Sequence, residues 1–88
     1  MRSYKTLLQR YLKIRLRSYR FTRELTQEQM AELLHISPRA YYDLENGKYG
    51  FSALTLVFFL SALPADEAAE LLQEFRRKVD RDKQNNAT

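Results

Sequence analysis

The sequence contains no cysteine, so neither a disulfide bond nor a thiolate metal site can stabilise the fold. This absence suits a reducing compartment, and we expect a cytoplasmic protein. No apolar run approaches the ~18 residues of a membrane-spanning helix. The basic N-terminus also lacks the continuous apolar segment of a secretory signal. The sequence therefore predicts a protein with no membrane partner.

Residues typical of catalysis or ligand binding are also scarce. The chain has two glycines and one histidine. It shows no glycine-rich phosphate loop, no cysteine–histidine cluster and no nucleophile beside a base. Asp43 and Glu45 lie two positions apart on a predicted helix, where side chains face different directions, so they do not form a catalytic pair. We predict that the protein is not an enzyme and that it uses no cofactor, metal or small-molecule ligand.

Acidic residues are missing from the first 23 positions, which carry eight bases. The other seven bases stand against all eleven acids, so the net charge of +4 hides a basic N-terminal end on an acidic remainder. A basic end of this kind favours a polyanionic partner bound on one side. The alternatives for such a charge run are simple solvation of a helix, or an amphipathic helix for a membrane surface or organelle targeting.

The length and the apolar content are those of one small packed domain, with 88 residues of which 44% are hydrophobic and 12% aromatic. We place the domain at residues 1–80 and expect 81–88 to be a frayed polar tail. Apolar residues at steps of three and four predict a long first helix over 4–21. A fourth helix is predicted over 53–63 and a fifth from Asp66 onward, so the expected fold class is all-α.

The middle of the chain carries two start signals for helices. Thr26 and Gln29 have the spacing of a capping box. At the second start, Ser37 is an N-cap residue and Pro38 suits the first helical position. Gly47 ends the later helix, since glycine takes the left-handed cap. Two short capped helices around a tight link form a helix-turn-helix, whose second helix is of a size to enter the major groove of DNA.

This stretch, about residues 26–45, also resembles a known family. The pattern is Thr-Gln-x-x-Met-Ala-x-x-Leu from Thr26, then Ile-Ser at 36–37, then Leu-Glu-Asn-Gly-Lys at 44–48. It is similar, over residues 14–63, to the phage-repressor (XRE, Cro-type) helix-turn-helix family. The resemblance implies a compact five-helix bundle like the DNA-binding domain of lambda repressor, which binds double-stranded DNA as a homodimer. It also implies a prokaryotic nucleoid, a phage or another mobile element as the setting.

Two turns of the motif depart from the family pattern. Glu24 stands where the family often has glycine, which leaves the shape of that turn open. His35 falls where many members have a left-handed glycine, and histidine tolerates this conformation better than most residues. We therefore interpret His35 as a turn residue rather than a ligand or a base.

The candidate base-reading residues face outward early in the second helix of the motif, and they are Ser37, Pro38, Arg39, Tyr42 and Asp43. The resemblance assigns base contacts to Pro38, Arg39 and Asp43. A guanidinium can bridge the O6 and N7 acceptors of guanine, and a proline can touch a thymine methyl group. A carboxylate can accept from cytosine N4, although the phosphates repel its charge.

Other side chains are expected to hold the sugar–phosphate backbone. The resemblance assigns phosphate contacts to Gln27 and Asn46, helped by free amides at the helix starts. The bases expected to add salt-sensitive contacts are Lys48, Arg17 and Arg20. The resemblance also predicts a buried pair between Arg20 and Glu45.

The last two helices are expected to supply core and a dimer interface. In the fourth helix, the residues predicted to face inward are Leu56, Val57, Phe59, Leu60 and Leu63. The residues proposed for the dimer interface are Phe58, which stands where the family usually has a polar residue, and Leu71, Phe75 and Val79. Leu7, Leu8 and Tyr11 form an alternative patch. The alternative is that the apolar residues of the last two helices close the monomer's own core, above all at Leu72 and Phe75.

The sequence thus predicts sequence-specific binding of double-stranded DNA by a small repressor-like transcriptional regulator. The alternative is a protein-interaction module, such as an antitoxin or an adaptor, on the same fold, because fold alone does not decide function. Pro38, Asp43 and the acid-rich C-terminal half favour the alternative. DNA binding is favoured by Arg39, Gln27, Asn46 and the basic first helix.

Overall fold

The helices of the structure follow the start and stop signals of the sequence. The computed structural model describes residues 3–85 and contains five α-helices, with no strand in that range. The helices are α1 (Tyr4–Thr22), α2 (Gln27–Leu34), α3 (Pro38–Glu45), α4 (Ala53–Ala62) and α5 (Ala65–Asn85). The predicted all-α fold with five helices and a long first helix is confirmed.

The C-terminal end differs from the prediction. Helix α5 continues to Asn85, so residues 81–85 are helical rather than frayed. Residues 86–88 of the predicted tail, like residues 1 and 2, lie outside the described residues. The ion pairs of this end of α5 are Arg76–Asp80, Arg77–Glu74 and Arg81–Glu74. Pairs three or four positions apart each stabilise a helix by about 0.2–0.5 kcal/mol, which helps the polar sequence to stay helical.

Local capping positions the two helices of the motif. The Thr26 hydroxyl accepts from the Gln29 amide, and the Gln29 side chain accepts from the Thr26 amide at 2.8 Å, which completes the predicted capping box. The Ser37 hydroxyl accepts from the amide of Ala40, and Pro38 occupies the first turn of α3. Both predicted helix starts are confirmed.

Three turns use the left-handed backbone region. Glu24 has a φ of 55°, His35 of 60° and Gly47 of 80°. The left-handed turn expected at His35 is confirmed, and Glu24 adopts a left-handed conformation although it carries a side chain. Such a conformation costs a residue with a side chain roughly 1–2 kcal/mol. Packing of the bundle therefore holds these two turns against a local preference.

The core lies where α1, α2, α3 and the inward faces of α4 and α5 meet. Its fully buried residues are Leu12, Leu16, Met30, Leu34, Tyr41, Phe59 and Leu71. Two predictions for α4 were wrong: Val57 is exposed rather than inward, and Phe58 is half-buried rather than outward. The Phe58 ring lies 4.3 Å from the ring of His35. Helix α4 is apolar on nearly every face, so its sequence gave no periodicity from which to choose the inward side.

Helix α5 packs along the N-terminal half of α1. The hydroxyl of Tyr11 donates to the carbonyl oxygen of Leu71 at 2.6 Å, and its ring centroid lies 5.5 Å from that of Phe75. Leu71 is buried, so it belongs to the monomer's core and not to a dimer interface as predicted. Leu72, expected to close the core, is instead exposed. Leu8 packs against the same core, which removes much of the alternative patch on α1.

The carboxylate of Glu45 joins three helices. It accepts from Nε and Nη2 of Arg20 on α1, each at 2.8 Å. It also accepts from the hydroxyl of Tyr41 on α3 and from Nε2 of Gln27 on α2, the latter at 3.3 Å. Only 15% of the Arg20 side chain and 5% of the Glu45 side chain are exposed. The structure thus brings together the two residues that the resemblance paired, in a buried bidentate geometry.

The ionisation of this cluster follows from burial and hydrogen bonding. Burial opposes the charged form of Glu45, but the hydrogen bonds from Arg20, Tyr41 and Gln27 outweigh it and hold the pKa of that carboxyl below its usual value. The hydrogen bond to Glu45 raises the pKa of Arg20. Burial, followed by the hydrogen bond to Glu45, raises the pKa of Tyr41. The cluster is therefore an ion pair with a neutral tyrosine attached.

We expect Arg20→Met to lower the free energy of unfolding by about 3–5 kcal/mol, because the buried carboxylate loses its counter-charge. For a domain of this size, each 1 kcal/mol corresponds to roughly 4–8 °C in melting temperature. Thermal melts monitored by circular dichroism measure the change. Arg23→Met is the matched control, since the Arg23–Glu67 pair has the same chemistry but is 34% and 46% exposed, and its loss should cost less than about 1 kcal/mol. Equal melting temperatures for the two variants would contradict this prediction.

Acid should remove the contribution of Glu45. Its pKa is lower in the folded protein than the ordinary 4.5, so its stabilising charge is fully present above the unfolded-state pKa and is lost as pH falls through the folded value. We expect the wild type to lose more unfolding free energy than Glu45→Gln as pH falls below about 4.5. Urea unfolding curves over a series of pH values test this. Parallel pH dependence in the two proteins would show that Glu45 does not titrate as proposed.

Candidate nucleic-acid interface

The N-terminal half of α3 presents four of the predicted base-reading residues to solvent. Ser37, Pro38 and Tyr42 are exposed, and 77% of the Arg39 side chain is accessible. The Ser37 hydroxyl accepts from the Ala40 amide as the cap of α3 and keeps its O–H donor. The exposed side chains that take no part in the cap are Pro38, Arg39 and Tyr42. These three form one continuous exposed face at the start of the helix.

Asp43 differs from the prediction that it faces outward. The residue is only 7% exposed, and its Oδ2 lies 3.4 Å from Nε of Arg39, one helical turn earlier. The Arg39 guanidinium also lies 5.9 Å from the ring centroid of Tyr42. Asp43 is therefore placed to orient Arg39 from below rather than to reach a base itself, and its charge is partly compensated.

The residues predicted to bind phosphate cluster around the C-terminal end of α3 and the start of α2. Gln27, in the first turn of α2, donates to Glu45, and Asn46 follows Glu45 directly. The Asn46 side chain donates to the carbonyl oxygen of Tyr42 at 2.8 Å. Lys48 is exposed in the next turn, with its Nζ 5.5 Å from the Tyr49 ring centroid. The Glu45 cluster thus holds the Gln27 amide against the C-terminal end of the recognition helix, while the Asn46 amide is held by the last turn of that helix.

The two arginines predicted to bind phosphate have different environments. Arg20 is engaged by Glu45 and donates from Nη1 to the carbonyl oxygen of Leu25 at 3.3 Å. Three of its five N–H donors are therefore bonded within the protein, and the residue serves the fold. Arg17 is exposed and forms no ion pair with any described carboxylate. Of the two, Arg17 has the freer charge.

Contacts between α1 and the loop after α3 were missed by the sequence analysis. The Gln9 side chain accepts from the amide of Phe51 at 2.6 Å and donates to its carbonyl oxygen at 3.3 Å. Lys13 also reaches this loop. If Gly47 carried a Cβ atom, that atom would lie 3.3 Å from the Nζ of Lys13. The available signal was the spacing of Gln9, Lys13 and Arg17 at four-residue steps, which places them on one helix face.

Between residues 3 and 85, no group of three or more His, Asp or Glu residues is placed to hold a metal ion. None of the helices there combines the length and apolar character that a bilayer-crossing segment requires.

Comparison with known families gives one match. Residues 14–75 match the model of a family described as a helix-turn-helix domain. Neither the curated proteins nor the solved structures give a match. The matched segment contains the whole of α2, α3 and α4. It also contains every member of the Glu45 cluster, namely Arg20, Gln27, Tyr41 and Glu45. It covers well over half of the 88 residues, which is consistent with the XRE-type resemblance, and the chain belongs to this helix-turn-helix domain family of DNA-binding domains.

Proposed function

We propose that the protein is a repressor-like transcriptional regulator that binds a specific double-stranded DNA sequence with α3 in the major groove. The observation that carries the proposal is the exposed face of Pro38, Arg39 and Tyr42 on a helix whose other side is locked into the core by Tyr41 and Leu44. A rigid helix with a solvent-facing guanidinium at its start is the arrangement that base reading requires.

Arg39 is the main reader in this proposal. Its guanidinium has the donor geometry to bridge O6 and N7 of a guanine. Asp43 and Tyr42 restrict the directions that the side chain can take, which lowers the conformational entropy lost on binding. Pro38 offers only apolar contact, to a thymine methyl group for example.

Phosphate contacts flank this face. Gln27 and Asn46 supply amide donors, and Lys48 and Arg17 supply charge. The carboxylate of Glu45 accepts from the Gln27 amide, but Arg20 neutralises its charge. Glu45 therefore adds no uncompensated negative charge where a phosphate would approach Gln27.

We further propose that the working form is a homodimer, because one short recognition helix reads too few base pairs to be selective in a genome. Leu54 and Val57, one turn apart on α4, are 65% and 59% exposed. We propose these two residues for the dimer interface in place of Phe58 and Leu71, which pack against the monomer's own residues. Pairing a second copy across this face would give recognition helices about one DNA turn, ~34 Å, apart and a nearly palindromic site.

The same apolar pair on α4 is the observation that favours the second candidate function, a protein-interaction module such as an antitoxin or adaptor. Selection of bound sequences from a random duplex pool decides between the two functions. Enrichment of a motif supports DNA reading. If no motif is recovered, and the protein instead binds a partner protein through the surface of Leu54 and Val57, the result would support the interaction module.

We expect Arg39→Ala to weaken binding to the selected site by about 1–3 kcal/mol and to relax the preference at one base pair. Fluorescence anisotropy with the selected duplex and with variants at each position measures both effects. Arg76→Ala is the matched control, because Arg76 is 76% exposed and pairs with a carboxylate four residues later, as Arg39 does. If Arg39→Ala binds all variants of the site in the wild-type order of preference, Arg39 is not a reader.

We expect the double variant Leu54→Lys/Val57→Lys to be monomeric at micromolar concentration, where the wild type is dimeric, since like charges would face each other across the two-fold axis. Leu72→Lys, which also replaces an exposed leucine, should remain dimeric. Sedimentation equilibrium measures the mass of each protein. A wild type that is monomeric, together with a non-palindromic selected site, would overturn the dimer.

A further inference from the structure

Most cations of α1 differ from the arginines elsewhere in the chain in having no carboxylate partner among the described residues; Arg20, which pairs with Glu45, is the exception. The arginines in ion pairs are Arg20, Arg23, Arg39, Arg76, Arg77 and Arg81. Lys5, Arg10, Lys13 and Arg17 form no ion pair with any carboxylate among residues 3–85. Helix α1 itself contains no acidic residue. No ion pair therefore neutralises the cations of its N-terminal half, although Arg10 also borders a second groove that Glu70 and Glu74 of α5 line.

Three of these cations line one groove. Lys5, Arg10 and Lys13 lie along α1, and the loop after α3, residues 47–52, forms the opposite wall of an open groove of about 600 Å³. The Gln9 side chain joins the two walls through its paired hydrogen bonds with Phe51. This contact holds the loop at a fixed distance from the three cations, so the groove is part of the fold.

The groove continues from the proposed phosphate contacts. Lys13 reaches Gly47, which lies between Asn46 and Lys48, the residues proposed to hold the backbone at the end of α3. From Lys13 the line of charge extends away from the recognition helix to Lys5, a distance of about 12 Å at 1.5 Å per residue. Phosphates of one DNA strand recur about every 3.4 Å along the duplex axis, so this length matches three to four of them.

We propose that this groove binds the phosphate backbone of the DNA that flanks the base pairs read by α3; this inference rests on the proposed function. A single anion would need cations that converge on one point, whereas these three are spread along a helix. The position of Lys13 near the C-terminal end of α3 can be explained without DNA, because a cation there interacts favourably with the helix dipole. The dipole does not explain the positions of Arg10 and Lys5, which lie farther along α1.

The test compares two duplexes, the selected site alone and the same site with about six base pairs added at each end, a flank long enough to run the whole length of the groove. Wild-type protein should bind the longer duplex about tenfold more tightly and with a steeper salt dependence. The variant Lys5→Gln/Arg10→Gln/Lys13→Gln should lose this gain and lower the slope of log affinity against log salt by about 2–3. Its affinity for the short duplex should change less than twofold.

The control variant Arg15→Gln/Lys78→Gln/Lys83→Gln makes the same change in net charge on the α5 side of the molecule and should keep the length gain. The double variant Lys5→Gln/Arg10→Gln, which changes only exposed side chains, should lose most of the gain and guards against unfolding of the triple variant. Wild-type protein that binds the short duplex selectively but gains nothing from length would overturn this inference alone. Equal losses in the groove and control variants would also overturn it. Absence of selective binding to any duplex would overturn the proposed function together with it.

Discussion

The buried carboxylate of Glu45 is the interaction on which the geometry of the protein depends. It is the last residue of α3, and its partners Arg20 and Gln27 come from α1 and α2. A charge this deep is tolerated only while its partners stay in place, so the cluster favours one arrangement of the three helices over other packings. It also holds Gln27, one of the two amides proposed to bind phosphate, and Asn46, the other, follows Glu45 directly in the chain. One ion pair therefore serves both the packing of the bundle and the layout of its surface.

The parts of the fold that could be predicted from sequence are those set by local chemistry. The bounds of α2 and α3 follow from Thr26 and Ser37, whose hydroxyls cap amides only three residues away. The conformation of Glu24 could not be predicted in this way, because the packing of the whole bundle holds it against its local preference. The inward side of α4 was equally hidden, since apolar residues surround that helix and burial is decided by its neighbours.

The candidate site shows the same division. Helical periodicity correctly placed Arg39 and Tyr42 on the exposed side of α3, because the direction of a Cβ follows from position in the helix. It did not show that Arg39 would lie across Asp43, since exposure also depends on where a long neighbouring side chain rests. The approach of Lys13 to Gly47, 34 positions apart, depends on how α1 crosses α3, and no local pattern encodes that crossing.

Charge pairing explains why the field of the protein is one-sided. On α5, the acids Glu70 and Glu74 are matched by Arg77 and Arg81, and the hydrogen bond from Arg77 holds the pKa of Glu74 below its usual range. The basic and acidic residues of that helix therefore cancel over short distances. Helix α1 contains no acid, and apart from Arg20 its cations form no ion pair with a carboxylate of residues 3–85, so their positive charge, and the potential it creates, remains on a helix that packs against α3. A polyanion attracted by this potential is drawn toward the exposed face of the recognition helix before any base is contacted.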